Sequence, residues 1–396
     1  MKTLIELYDN SPVKNVIGTE MFRPEETVLL CPPELASVKA LKSSLEKYFE
    51  YRGCRVKLTL VQVSLLDASR VERTLREIVD SREDCAIDIS GGTDASLFAA
   101  GAVSADRDVA VYTYSFKKNT FFEIKNAAFA KDCPCSVTLD VRSCFLMAGG
   151  SLLEGRSAGV RLTERLDQID ALFEIYKKFR RGWRSQILYM QQISSSEHGC
   201  LEAAGKRTIM ADHSMVSVDE QLLRALHGSG LIRDLKLSQE AVSFRFADES
   251  VRFWLRDIGA VLELKVYRDC LEAGCFDDVE MSAVVNWEGG QSQRNAVTNE
   301  IDVMAIRGIR PLFISCKTCE IKTEALNELA VLRDRFGGKE SRAMIVTSAN
   351  ATKSRSLMRL RAKELYIEVV EWEDLAQGRL PDILGGKIIA ETGGRK

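Results

Sequence analysis

The sequence predicts an α/β protein in three parts: a mostly parallel sheet domain over residues 1–150, a helical stretch with a small hairpin over 151–250, and a second α/β domain over 251–396. Three observations carry that division. Short β-rich apolar runs alternate with helical periodicity through the first third, helical spacing takes over from about residue 155, and strand-like runs between helices return near residue 279. A chain of 396 residues also exceeds what one hydrophobic core usually organises, so two or three domains are expected.

In order along the chain, Thr3 to Tyr8 reads as a first strand, followed by strands at 27–31, 55–63, 85–89 and 109–114, with helices at 36–50, 68–80 and 94–104. Strands alternating with helices imply a Rossmann-like sheet covered on both faces, whose ligands bind beyond the carboxyl ends of the strands. Leu166, Ile169, Leu172, Phe173 and Tyr176 then fall at helix-face spacing. Ser217-Val218-Asp219-Glu220 forms a capping-box signature before Leu222, Leu223 and Leu226, and Gly228 and Gly230 end that helix. Val242 to Phe246 alternates like a hairpin strand, which suggests a winged-helix module at about 195–250 that packs rather than binds DNA. A helix at 254–273, strands at 279–287, 300–305 and 311–317, a helix at 322–336, a strand at 342–347 and a helix near 353–364 make up the last domain.

Hydrophobic residues form 45% and charged residues 28% of the chain, the composition of a globular protein rather than a disordered or fibrous one. No run of 18 apolar residues occurs, and acidic residues interrupt the first apolar stretch too early for a signal peptide, so a cytoplasmic protein with no membrane partner is expected. Eleven cysteines scattered through apolar segments fit a reducing compartment. Cys270, Cys275, Cys316 and Cys319 could supply thiolates to zinc, but Cys316 reads better as core. All three histidines (His198, His213, His227) sit in the middle segment, which argues against histidine-based catalysis. With a net charge of −2, any nucleic-acid contact must come from local patches. Lys177 to Arg184 and Lys353 to Lys363 are two such patches, each read more simply as a solvated helix face.

Two constellations carry chemistry. Ser90-Gly91-Gly92-Thr93-Asp94 lies where a strand ends and a helix begins, so glycines that let backbone approach a ligand adjoin unpaired helix N–H groups and two hydroxyls. Asp9-Asn10-Ser11-Pro12 with Asn15 follows the first strand and falls on the same sheet edge. Neither the Gly-x-Gly-x-x-Gly pattern nor a P-loop is present, so neither a dinucleotide cofactor nor ATP hydrolysis is supported. In the last domain Glu300 and Asp302 alternate on one strand, and Ser315 and Lys317 share a face of the next. An acidic pair beside a lysine suits metal-assisted phosphodiester hydrolysis, with Glu300 and Asp302 on Mg²⁺ or Mn²⁺. A surface acid pair salt-bridged to Lys317 is the plainer alternative.

The Tyr8-Asp9-Asn10-x-Pro12-x-x-Asn15 and Ser90-Gly91-Gly92-Thr93 motifs resemble those of the CRISPR-associated Rossmann fold, or CARF, sensor family, over about residues 1–150. Asp302 with Ser315-Cys316-Lys317 resembles the PD-(D/E)xK nuclease superfamily, and Glu263 matches the acid on the first helix of that fold. Ser315 stands where that superfamily carries Asp or Glu, so another carboxylate completes metal binding or activity is weakened. Together the halves resemble the CARF-nuclease effectors of type III CRISPR antiviral defence. That resemblance implies a homodimer that binds cyclic tetra- or hexa-adenylate and then cleaves DNA, RNA or both with a divalent metal. The competing expectation is a non-catalytic, ligand-sensing DNA-binding regulator with a degenerate nuclease fold.

Overall fold

A computed structural model describes residues 1–34, 37–153, 162–197, 199–288, 297–349 and 355–390. His198, the start of the stretch read as helical from 155, and the first residues of the second basic patch lie outside them.

The first sheet contains β1 (Thr3–Leu7), β2 (Glu26–Cys31), β3 (Lys57–Gln62), β4 (Cys85–Asp88), β5 (Ala110–Ser115), β6 (Thr120–Lys125) and β7 (Cys133–Pro134), in the order β3-β2-β1-β4-β5-β6-β7. The five strands β1 to β5 are parallel, as expected, and β6 and β7 add an antiparallel edge that the sequence reading lacked. Between them run α1 (Ile17–Phe22), α2 (Val38–Tyr51), α3 (Ala68–Ser81) and α4 (Asp94–Asp106), and α5 (Val141–Met147) follows β7. The amphipathic α3 turns Val71, Leu75 and Ile78 onto one sheet face, where they join Ala99, Ala100 and Val103 of α4. Because strand order reverses between β1 and β4, a crevice opens outside their carboxyl ends.

In the middle, α6 (Leu166–Phe179) and α7 (Trp183–Ile193) precede β9 (Glu202–Lys206), the hairpin β10 (Thr208–Ala211) and β11 (Ser214–Ser217), α8 (Glu220–Gly228), β12 (Ile232–Leu237) and β13 (Ala241–Phe246). This winged-helix-like unit shares one core with the last domain. The cap of α8 is Asp219, whose carboxylate accepts the Leu222 N–H at 3.0 Å, whereas Ser217 ends a strand, so a single aspartate cap replaces the expected capping box.

The last domain has α9 (Glu249–Trp254), α10 (Ala260–Glu272), β14 (Asp278–Asn286), β15 (Thr298–Arg307), β16 (Arg310–Lys317), α11 (Thr323–Phe336), β17 (Arg342–Thr347), α12 (Arg355–Glu364), β18 (Ile367–Val370), α13 (Trp372–Ala376) and α14 (Leu380–Ala390). The helix expected over 254–273 is broken at Leu255–Gly259, where Asp257 caps the Gly259 N–H at 2.8 Å. Sheet order is β18-β17-β16-β15-β14-β8, and its outer strand β8 (Ser151–Leu153) comes from the stretch read as linker. Among the described residues no helix is long and apolar enough to cross a membrane.

Both sheets share a core. Tyr48 and Phe49 of α2, Phe145 of α5, Phe313 of β16, Ile345 of β17 and Phe336 of α11 belong to a single buried cluster, with the Phe145 and Phe336 rings edge to face at 5.2 Å.

Candidate active site and ligand loops

β15 and β16 form a tight hairpin closed by Gly308-Ile309, with Gly308 at φ 59°. Their ladder runs from Arg307–Arg310 to Val303–Ile314 and stops there. One residue further, the Asp302 carboxylate replaces the ladder: its Oδ2 accepts the Cys316 backbone N–H at 2.6 Å, the Ser315 hydroxyl at 3.2 Å and the Lys317 ammonium at 3.5 Å. All three donors converge on Oδ2, and among the described residues Oδ1 receives no hydrogen bond. Asp302 and Lys317 are partly buried, Ser315 lies beside them, and the cross-strand ion pair that the plainer reading expected is present at the same spot.

Glu263, in the first turn of α10, faces this point. Burial pushes its carboxyl up to about 8, the nearby charges of Asp302, Asp257 and Glu300 push in the same direction, and Lys317 opposes them. Glu300 itself is exposed near the outer end of β15, opposite Val284. Four carboxylates around one lysine are a surplus of hard oxygen donors, which fits a divalent cation in kind and in charge. Among the described residues no three His, Cys, Asp or Glu side chains form a ready cage. A cation here would complete its shell with water and phosphate, as Mg²⁺ commonly does.

The crevice between β1 and β4 receives both polar loops. Asn15 staples the first: its Oδ1 accepts the Asp9 N–H and its Nδ2 donates to the Asp9 carbonyl, each at 2.8 Å. Asp9 in turn accepts the Ser11 N–H at 2.8 Å and pairs with Lys14 at 3.2 Å. Ser11, Pro12 and Asn15 are thereby buried, and Asn10 is left exposed at the tip. In the second loop Gly91 and Gly92 pack on Leu7. A methyl group on Gly91 would come within 2.5 Å of the Leu7 carbonyl, and Gly92 sits at φ 95°, so both positions require glycine. Thr93 caps α4, and its hydroxyl also donates to the Leu65 carbonyl. Ser90 gives the Tyr114 N–H an acceptor at 2.8 Å, and Asp94 is exposed. Of the ten loop residues singled out in the sequence, Asn10 and Asp94 present the most surface, while Ser11, Pro12, Asn15 and Gly91 build the scaffold beneath them.

Sequence reasoning did not single out Asp257, whose only signal was its place just before Gly259, nor the part played by the middle domain. Tyr176 Oη and Ser348 Oγ share a hydrogen bond of 2.6 Å, Arg180 donates to the Ser348 carbonyl, and the Ser348 N–H donates to the Lys317 carbonyl at 3.0 Å.

Residues 247–388 match the family model of the Card1-like endonuclease domain. No curated protein sequence matches the chain. Among solved structures, protein VC1899 from Vibrio cholerae superposes with a TM-score of 0.74 at 16% identity, over 99% of both chains. Can2 from Sulfobacillus thermosulfidooxidans, in complex with cyclic tetra-adenylate, gives 0.70 at 16% identity, over 99% of this chain and 97% of that one. A type III CRISPR defence DNA nuclease activated by cyclic oligoadenylate gives 0.50 at 16% identity, over 88% of this chain and 46% of that one. Residues 247–388 thus match the Card1-like endonuclease domain, and the chain as a whole shares the fold of VC1899 and Can2.

Proposed function

We propose that the protein is a cyclic oligoadenylate-activated nuclease of type III CRISPR antiviral defence that cleaves DNA, RNA or both with Mg²⁺ or Mn²⁺. The observation that carries this reading is the convergence of Ser315, Cys316 and Lys317 on one oxygen of Asp302, with Glu263 facing them, inside a domain that matches an endonuclease family. Asp302 and Glu263 would hold the cation, with Glu300 as an outer acid. When bound, the cation polarises the scissile phosphate and acidifies a water. Lys317 orients the attacking water and offsets charge developing on the phosphate. Ser315 and the Cys316 N–H fix the Asp302 carboxylate through Oδ2, so that Oδ1 would remain available to a cation. Glu263, whose charge burial and the neighbouring carboxylates disfavour, would be an ionised ligand only with a cation to offset them.

The two loops over the β1–β4 crevice would take the cyclic oligoadenylate, with Asn10, Ser90, Thr93 and Asp94 nearest to it. A homodimer places two such crevices about one ring, because a cyclic ligand with an even number of units can share a two-fold axis. Two large apolar side chains flank the crevice: Leu66, 80% exposed, follows the Leu65 that Thr93 holds, and Phe98, 73% exposed, lies on the first turns of α4. A second copy would cover both. The test is cleavage of single-stranded DNA, supercoiled DNA and RNA with Mg²⁺ or Mn²⁺, with and without cyclic tetra- and hexa-adenylate. Ligand-dependent cutting supports the proposal. No cutting under any of these conditions, together with intact ligand binding, leaves the non-catalytic regulator as the better reading.

A further inference from the structure

We propose that the cleft between the β5–β6 turn and the β15–β16 turn is a binding site for a nucleoside triphosphate, whose phosphates are held by Lys117, Lys118, Arg307 and Arg310 and whose base lies against Phe276. The proposal goes beyond the nuclease reading and does not depend on it. The two turns belong to different domains, yet both line one cavity of about 460 Å³. Arg310 fixes their approach, because its guanidinium donates to the Phe116 carbonyl in the first turn. Among the described residues Asp277 is the only carboxylate in the lining, and its Oδ2 is taken up by the Gly308 N–H at 2.6 Å.

Each turn contributes a pair of like charges. Arg307 and Arg310 stand directly opposite one another in the last rung of the β15–β16 ladder, an arrangement in which equal charges repel. Lys117 and Lys118 are neighbours and exposed, and the Lys118 ammonium lies 5.0 Å over the Phe122 ring. Among the described residues no ion pair holds any of these four cations. An anion with several charged oxygens would offset the repulsion, and the forked guanidinium donors match phosphate in geometry as well as in charge. The volume exceeds what one phosphate fills and falls within the range of roughly 300–1,000 Å³ common for small-molecule sites. Phe276, Val137 and Pro311 add apolar surface to the lining, which suits a flat base rather than a bare polyphosphate. The cavity is separate from both sites described above. Arg307 lies roughly 17 Å along β15 from Asp302, and none of Asn10, Ser90, Thr93 and Asp94 lines the cavity.

The test titrates the full-length chain with ATP in EDTA, by calorimetry and by the rise that ATP produces in the thermal unfolding midpoint. Affinity should fall in the order ATP, ADP, AMP, and adenosine should not bind. Lys118→Gln with Arg307→Gln should weaken ATP binding roughly tenfold or more, since two of four phosphate contacts are lost. Without ATP that variant should unfold no lower than wild type, because it removes a repelling charge from the ladder and both side chains are exposed. Phe276→Leu should weaken ATP binding and leave that of inorganic tripolyphosphate unchanged. Asn10→Trp and Lys317→Ala, which alter the crevice and the Asp302 site, should bind ATP as wild type does. A wild type that binds no ATP would overturn the proposal, as would wild-type affinity in the Lys118 and Arg307 double variant, or loss of ATP binding in Asn10→Trp or Lys317→Ala. Tripolyphosphate that binds as tightly as ATP, with Phe276→Leu affecting neither, would reject a nucleotide as the occupant.

Discussion

Ser315 donates its hydroxyl to Asp302 Oδ2 across 3.2 Å, the same oxygen that takes the Cys316 backbone N–H. Under the proposed function, Ser315 would therefore act as a support for the ligand Asp302 rather than as a ligand itself. Ser315→Ala removes one of three donors and should retain much of the cleavage activity. Glu263→Gln should abolish it, and Glu300→Gln, at an exposed position, should cost far less. Initial rates at saturating Mn²⁺ separate the three. Loss of activity in Ser315→Ala equal to that in Glu263→Gln would contradict this division of roles.

Lys317→Ala and Asp302→Ala should each eliminate metal-dependent cleavage and leave ligand affinity nearly unchanged. Excess Mn²⁺ should not rescue Lys317→Ala, because the lysine acts through charge rather than as a ligand. A contaminant-free Lys317→Ala preparation that cuts at the wild-type rate would refute the assignment.

Gly338, in the turn after α11, stands at φ 68°, and a methyl group there would collide with Ser11 Oγ and come within 2.9 Å of Ser11 Cα. Gly338→Ala is therefore strained twice, at a cost on the order of 1–3 kcal/mol. Although it lies in the nuclease domain, it should weaken cyclic oligoadenylate binding measured by calorimetry. A bulky apolar residue in place of Asn10 should do so more strongly without loss of stability. Replacing Thr93 also removes a cap and should lower stability by about 1 kcal/mol, which makes it the less clean probe.

Phe98→Asp should yield a folded monomer by light scattering with weakened ligand binding, whereas the wild type should bind one cyclic ligand per two chains. An unchanged molar mass would remove the α4 surface from the interface.

Glu6, Asp88 and Tyr112 stand side by side on three neighbouring strands, fully buried, and among the described residues Glu6 Oε2 has no hydrogen-bond partner. Burial pushes the Asp88 carboxyl up to about 6 and raises Glu6 well above the usual range, with Asp88 adding to that shift. The folded state thus holds protons that the unfolded chain releases above about pH 4. Stability should be greatest below that pH, as far as these groups decide it, and should fall as pH rises through 6. Asp88→Asn removes on the order of 3 kcal/mol of that slope. Its denaturant midpoint should exceed that of wild type at pH 8, and the gap should shrink by pH 4. A gap independent of pH would exclude this origin.

Much of this was legible because strong local signals and tertiary structure agree. The apolar runs of β1, β2, β4 and β5 are central strands, and the alternation around Asp302 and Lys317 placed both side chains correctly. What was missed depends on distant partners. β8 is three residues long and exists only because β14 offers it an edge. The break at Leu255–Gly259 was hidden inside a periodic window, since Leu255 and Ile258 pack on the same core as α10. The pairing of Ser348 with Tyr176 spans 172 residues, and no local pattern announces it.

The stretch that matches the endonuclease family, residues 247–388, is not by itself a complete unit of folding. Severed there, the chain loses β8 and leaves the β14 edge open to any other strand. It also loses α5, whose Phe145 covers Phe336, and α6, which packs against α10, so both faces of the sheet lose cover. Such a fragment exposes apolar surface that the rest of the chain covers, and it should aggregate more readily than the whole chain.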